Sequence, residues 1–320
     1  MHFWQESRAW HYCANKYRMN FDCYAITTWP GYCFQTALCI RSILEHFPPR
    51  PIHIIVDTEH HTGHPVATPW PNFESDLKQY IADQHFKANI VWHTVGQVPE
   101  INQCPVGWWR QQLVKLCLDQ YLPGDSWLII DADIIFDQPL TFDQVPVKVD
   151  WHRALETDSI TLGNRLYVKH LLDTDVGSIT CDNLPACASA VPFRQLDRKL
   201  LIDLRNHVEQ IHQQDFVEMH IKMFESQQIV GYDPKCRGMV MSEFELIEVY
   251  RHMTNPLPFR AVHWDHTFAL ECTGDYRFRH SSLSDWAIGR EWLQAQRLQI
   301  SDALWQKSKQ FQENMPHLRK

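Results

Sequence analysis

The sequence predicts an α/β protein, a mostly parallel sheet flanked by helices, and three observations carry that expectation. Short apolar runs rich in β-branched residues alternate with helix-like stretches through the first half of the chain. Those runs are apolar nearly throughout rather than at every second residue, as in strands covered on both faces. The composition, 44% hydrophobic and 21% charged with 11 glycines in 320 residues, supplies a sizeable core. It excludes disorder and collagen-like architecture.

The elements follow in order. Cys23–Thr28 (CYAITT) reads as the first strand, followed by Gly31 and a helix from Phe34 to Phe47 that Pro48, Pro49 and Pro51 terminate. Ile52–Val56 is a second, β-branched strand that ends on Asp57. A helix over Phe73–His85 leads to a third strand, Asn89–Val95. Trp109–Tyr121 has helical spacing, with Leu113, Leu116, Leu118 and Tyr121 near one stripe. After Pro123–Gly124, the strand Trp127–Ile130 stops on Asp131. Strand–helix–strand alternation of this kind indicates a parallel sheet. The second half is more mixed. Val191–Gln214 reads as one long helical region, and Ser242–Tyr250 as a helix capped by Ser242 with Glu245 at the capping-box position. Phe259–Trp264 reads as a strand, and the stretch from Ser284 onward as an amphipathic helix. The division expected is 1–150, a half ending in the Asp131 strand; 151–280, the second half of the same domain; and 281–320, the C-terminal helix.

A net charge of −8 argues against nucleic acid as a partner, because phosphate contacts need a basic face. None of the ten cysteines is spaced C-x-x-C, so no zinc ribbon or thioredoxin-like motif is visible. Several lie in apolar runs, as free buried thiols in a reducing cytoplasm would. The N-terminus has no basic segment followed by an apolar one, and no apolar run approaches the ~20 residues that span a bilayer. The expectation is a soluble, cytoplasmic protein. The C-terminal helix, with Trp286, Trp292, Leu293 and Trp305, either packs on the protein or a second copy or lies on a membrane surface.

The most informative segment is GWWRQQLVKLCLDQYLPGDSWLIIDADIIFDQPL. Asp131 and Asp133, spaced D-x-D around Ala132, leave an apolar strand. In open α/β sheets ligands bind beyond the carboxyl ends of the strands. Two such oxygens serve one hard divalent cation, Mg²⁺ or Mn²⁺, directly or through water. That cation neutralises a diphosphate leaving group.

The segment resembles the metal-binding D-x-D of the GT-A glycosyltransferases. GWWRQQLVKL, WLIIDADIIF and SEFELIEVY together are similar to a bacterial and viral branch of that fold. Where that branch carries Tyr-Gly after the SE-aromatic-EL run, this chain has Ile247 and Glu248. The resemblance implies a GT-A, Rossmann-like sheet with a mixed acceptor-side region and a C-terminal helix. It implies a hexosyltransferase-like enzyme that moves a sugar from a UDP- or GDP-sugar to a saccharide, a lipid-linked acceptor or another hydroxyl, in glycan synthesis.

On that frame Asp57 contacts the nucleotide base or caps its strand, and Thr27, with Thr28, contacts the nucleoside or shapes the loop. Arg110, Gln111 and Lys115 lie on the helix before the metal strand. Arg110 is preferred for a phosphate because of its fixed donor fork. Asp131 and Ala132 complete the donor contacts. A third metal ligand comes from His263 or His266, with His263 favoured beside Trp264. Glu243 is the expected base if the transfer inverts configuration, with Glu245 its competitor; both also suit helix capping. A retaining transfer requires no such base.

Two other classes remain. A metal-dependent nucleotidyltransferase or phosphohydrolase also uses strand-end aspartates, but no glycine-rich phosphate loop is present. A non-enzymatic carbohydrate-binding protein would account for the 13 tryptophans and leave DADIIF unexplained. Trp108, Trp109, Trp127 and Trp264 fall where a donor and acceptor cleft is expected, since aromatic faces suit sugars and bases.

Overall fold

The computed structural model describes residues 21–29, 33–58, 73–83, 88–104, 107–136, 147–150, 159–174, 193–229, 238–254, 260–263, 271–273 and 276–280. The five strands of the main sheet are β1 (Cys23–Thr28), β2 (Ile52–Val56), β3 (Ile90–Thr94), β4 (Ser126–Asp131) and β7 (Phe193–Asp197). They stand in the order β3-β2-β1-β4-β7. The first four are parallel, and β7 runs antiparallel along the outer edge of β4. β1 and β2 are buried at every position, as their unbroken apolar runs require.

Helices cover both faces. On one face, α1 (Cys33–His46) packs against α2 (Phe73–Asp83) and against β5 (Ile134–Phe136). There the rings of Tyr24, Phe47, Phe136 and Phe193 follow one another edge to face. On the other face Ala25, Trp127, Ile129 and Leu196 join one apolar cluster with residues of α4 (Trp108–Leu116), α5 (Ser159–Leu172), α6 (Arg198–His212), α7 (Phe216–Glu225) and α8 (Glu243–Thr254). The single turn α3 (Pro99–Asn102) precedes α4. A parallel pair of β6 (Val147–Asp150) with β8 (Arg260–His263), and an antiparallel sheet of β5 with β9 (Glu271–Thr273) and β10 (Tyr276–His280), complete the described elements. The expected α/β class with a mostly parallel sheet flanked by helices is what the structure shows. Among the described residues no helix is long and apolar enough to cross a membrane. Cys23, Cys39, Cys104 and Cys117 are buried free thiols.

Two expectations are corrected. Residues 193–197 are a strand rather than the start of a long helix, which begins only at Arg198 after the extended Asp197. β7 supplies partners to the outer edge of β4, whose buried backbone groups would otherwise go unpaired. The helix expected to run to Tyr121 stops at Leu116, and Leu118–Gln120 forms a 3₁₀ turn. Arg205 fixes this break: its Nη1 donates to the Leu116 carbonyl at 2.6 Å, and its fork closes on both oxygens of Asp119 at 2.6 and 2.7 Å. The C-terminal helix expected from Ser284 lies outside the described residues.

Candidate active site at the strand ends

The chain runs from β1 outward through β2 and β3, then crosses to β4 on the other side of β1. The strand order therefore reverses between β1 and β4, and the crevice beyond their carboxyl ends is where an open α/β sheet accepts a ligand. Thr27 of β1 stands in register with Asp131 of β4 at that end. Thr27 and Thr28 are both buried; the Thr28 hydroxyl is 2.8 Å from that of Thr36 on α1. The Asp57 amide donates to the Thr28 carbonyl at 2.9 Å, so the ends of β1 and β2 are tied together.

Two cations of α4 enter this region, and the structure gives them different partners. Arg110 is fully buried and faces Asp57, itself 2% exposed. Its Nε and Nη2 donate to the two carboxylate oxygens at 2.9 Å each, and Nη1 donates to the Asn102 carbonyl at 3.1 Å. The fork of Arg110, preferred from the sequence for a phosphate, is turned inward onto Asp57. Asp57, expected beside the base, has both oxygens in the same pair. Lys115 is the cation that reaches the D-x-D segment. Its Nζ donates to Asp131 Oδ1 at 2.6 Å and to Glu243 Oε1 at 2.7 Å, and lies 4.8 Å from the centre of the Phe244 ring. Burial works against the charge on Lys115, but the carboxylates of Asp131 and Glu243 outweigh it and raise its pKa, so the ammonium is kept. Burial raises the pKa of Glu243, against the opposing pull of Lys115.

Asp131 ends β4 with a side chain 28% exposed. Ala132 is buried beneath the turn, and Asp133, partly exposed, precedes β5. The Cys39 thiol donates to the Asp131 carbonyl at 3.7 Å. Gln111 is partly exposed on α4. Glu245 does not close the expected capping box. Its Oε1 has no hydrogen-bond partner among the described residues, and burial pushes its pKa up to about 8. His263 belongs to β8, in register with Asp150, while its side chain, Trp264 and His266 lie outside the described residues.

Of the four tryptophans expected near a cleft, the structure describes the side chains of two, Trp109 and Trp127. Trp127 is fully buried, with Nε1 donating to the Pro123 carbonyl at 2.7 Å. Trp109 packs on the core, its ring 5.5 Å from Phe224. The Trp108 side chain lies outside the described residues. What sequence reading missed is the link from Lys115 to Glu243, and behind it a wholly buried pair in which the Tyr167 hydroxyl meets His220 Nε2 at 2.8 Å. His220 Nδ1 donates to the Phe216 carbonyl at 2.7 Å, so Tyr167 is the donor to Nε2.

The two carboxylates of the turn suit a small, hard divalent cation. Both are oxygen donors and both are partly exposed, which fits the waters that Mg²⁺ and Mn²⁺ retain. Among the described residues no group of three His, Cys, Asp or Glu side chains converges to hold a metal.

Comparison with known proteins gives the following. The model of a family of unknown function (DUF6492) matches residues 35–225. No curated protein matches the sequence. The chain is similar to a solved apo structure described as the WbbM bifunctional glycosyltransferase, with a TM-score of 0.36 and 10% identity over 64% of this chain and 37% of that one. It therefore spans little more than a third of that protein's length. It is also similar to a structure of an active-site mutant of LgtC, with a TM-score of 0.41 and 10% identity over 75% of this chain and 72% of that one.

Proposed function

The chain belongs to the family of unknown function DUF6492, and from that footing we propose that it is a metal-dependent glycosyltransferase of GT-A type. In this reading it moves a sugar from a UDP- or GDP-sugar to a saccharide, lipid-linked or other hydroxyl acceptor. The observation that carries the proposal is the Asp131–Ala132–Asp133 turn. It leaves β4 where the strand order reverses, and a buried lysine holds one of its carboxylates.

Asp131 and Asp133 would hold Mg²⁺ or Mn²⁺, which when bound neutralises the diphosphate of the leaving nucleotide. The chain's own groups supply the rest. Thr27 and the end of β1 form the floor on which the donor lies. Lys115 fixes the orientation of the Asp131 carboxylate before any ligand arrives, so no reorganisation is needed at the moment of reaction. Arg110 and Asp57 hold α4 and the end of β2 in place beneath that floor. Glu243, expected as the base, is 4% exposed and accepts from Lys115. Its geometry supports holding that lysine rather than taking a proton from an acceptor.

The test is thermal melting of the protein with UDP- and GDP-sugars, with and without Mn²⁺, followed by metal-dependent donor hydrolysis. A ligand that binds the folded state raises the melting temperature. The expected result is a shift that requires both donor and Mn²⁺ and that Asp133→Ala abolishes while the fold survives. No shift with any nucleotide sugar in the presence of Mn²⁺ overturns the proposal, and full donor hydrolysis by Asp133→Ala overturns the metal assignment.

A further inference from the structure

Lys115 is held from three directions. Asp131 Oδ1 lies at 2.6 Å, Glu243 Oε1 at 2.7 Å, and the Phe244 ring stands 4.8 Å away. The lysine side chain is 4% exposed and that of Glu243 is 5% exposed, whereas that of Asp131 is 28% exposed. One end of this chain of charges is therefore sealed in the protein and the other opens toward solvent at the turn. Among the described residues, Asp131 accepts no other side-chain donor.

We propose that Glu243 and Lys115 are positioning residues that select the cation, because an ammonium fixed on Oδ1 leaves Asp131 a single oxygen for a metal and so favours Mg²⁺ or Mn²⁺ over Ca²⁺. This rests on the metal-dependent reading above. The reason is coordination chemistry. Ca²⁺ gathers six to eight oxygens and often takes both oxygens of a carboxylate, whereas Mg²⁺ is content with one or two carboxylates and keeps its waters. Bidentate use of Asp131 would require Lys115 to leave Oδ1. The lysine is anchored by Glu243, and a move outward would strip that buried carboxylate of its cation. The ion pair thus withholds the second oxygen of Asp131 from the larger ion.

A purely structural ion pair would affect stability but not the ratio of two metal affinities, so the ratio is the quantity to measure. Isothermal titration of the full chain with Mn²⁺ and with Ca²⁺ is run on the wild type, on Lys115→Met/Glu243→Leu, and on Glu243→Gln. The double variant removes both buried charges together and leaves Asp131, 28% exposed, to solvent. Glu243→Gln keeps the lysine but loosens its anchor, and it is the variant to rely on if the double variant fails to fold. The expected result is a gain for Ca²⁺ relative to Mn²⁺ on the order of tenfold in the double variant, with a smaller shift in the same direction in Glu243→Gln. A wild type that binds Mn²⁺, with a ratio unchanged in the folded variants, overturns this inference and leaves the proposed function standing. A wild type with no affinity for Mn²⁺ overturns the metal-dependent reading and the inference together.

Discussion

The Arg110–Asp57 pair allows a sharp test of what the strand-end charges do. Both groups are removed from water, at 0% and 2% exposure, and joined by two bonds of 2.9 Å. Removing one partner leaves an uncompensated buried charge, a loss of about 3–5 kcal/mol, whereas replacing both by apolar groups is often close to neutral. Arg110→Met and Asp57→Leu should therefore each cost about 3–5 kcal/mol, and the double variant about 0–2 kcal/mol. With an unfolding entropy of about 2.1 cal/mol/K per residue, each kcal/mol lowers the melting temperature of this chain by about 1.5 °C. The single variants should thus melt about 4–7 °C below the wild type. Thermal and denaturant unfolding of the four members of the cycle measures the coupling directly. A double variant destabilised by the sum of the two singles would refute the pair as a buried unit. The same double variant, assayed well below its melting temperature, should keep nucleotide-sugar affinity within a factor of about three, because a fork turned inward holds no phosphate. A loss on the order of 10–100-fold, worth about 1.4–2.7 kcal/mol, would place Arg110 or Asp57 on the donor.

Three further predictions concern the buried groups behind the site. Burial holds the proton on Glu245 up to about pH 8, while an unfolded glutamate releases it near 4.5, so stability falls as pH rises between those values. Glu245→Gln removes that loss: in melts across a pH series it should match the wild type at the acid end and gain on the order of 2–5 kcal/mol by about pH 9. A gap that does not widen with pH refutes the buried neutral carboxyl. Tyr167→Phe takes the donor from His220 Nε2 in a site with no access to water, at a cost of about 1–3 kcal/mol by denaturant unfolding. Burial depresses the His220 pKa to about 4 against 6.5 unfolded. The stability it contributes is thus complete above 6.5 and lost as pH falls toward 4, and His220→Gln should flatten that acid limb. An unaltered acid limb would argue against a neutral buried imidazole.

The parts of the fold that were legible share one property. β1, β2 and the apolar body of β4 are covered on both faces, so their sequences are apolar without interruption and end abruptly at polar residues. The edge strand β7 was not legible. It is five residues long, buried at some positions and open at others, and it runs directly into the helix that begins at Arg198. Helix α5, which carries Tyr167, has no strong punctuation in sequence and was not read. At the site, the spacing and placement of Asp131 and Asp133 were visible because they sit at a strand end. The partner of Lys115 was not, since Glu243 lies 128 residues further on and meets it only when α8 packs against α4. Trp127 misled for a related reason: its position in β4, ahead of Asp131, says where its backbone lies, not that its ring fills the core.

One spacing in the sequence carries more than it first shows. Arg110 and Lys115 are five residues apart, which is not a spacing that aligns two side chains on one helix face. The structure explains it without appeal to a shared face. α4 packs against β1, and its two cations reach the strands on either side: Arg110 the end of β2, Lys115 the end of β4. Five residues of helix rise about 7.5 Å. Two strand spacings, from β2 to β4 across β1, come to about 9.6 Å. Long, flexible side chains close the remaining gap. A cation pair at i and i+5 on the helix before a D-x-D strand is thus the mark of a helix laid across three strand ends. Each cation is matched to a different carboxylate, one sealed at Asp57 and one left open at Asp131. The first carboxylate is buried and the second partly open, a difference set within a single turn and a half of helix.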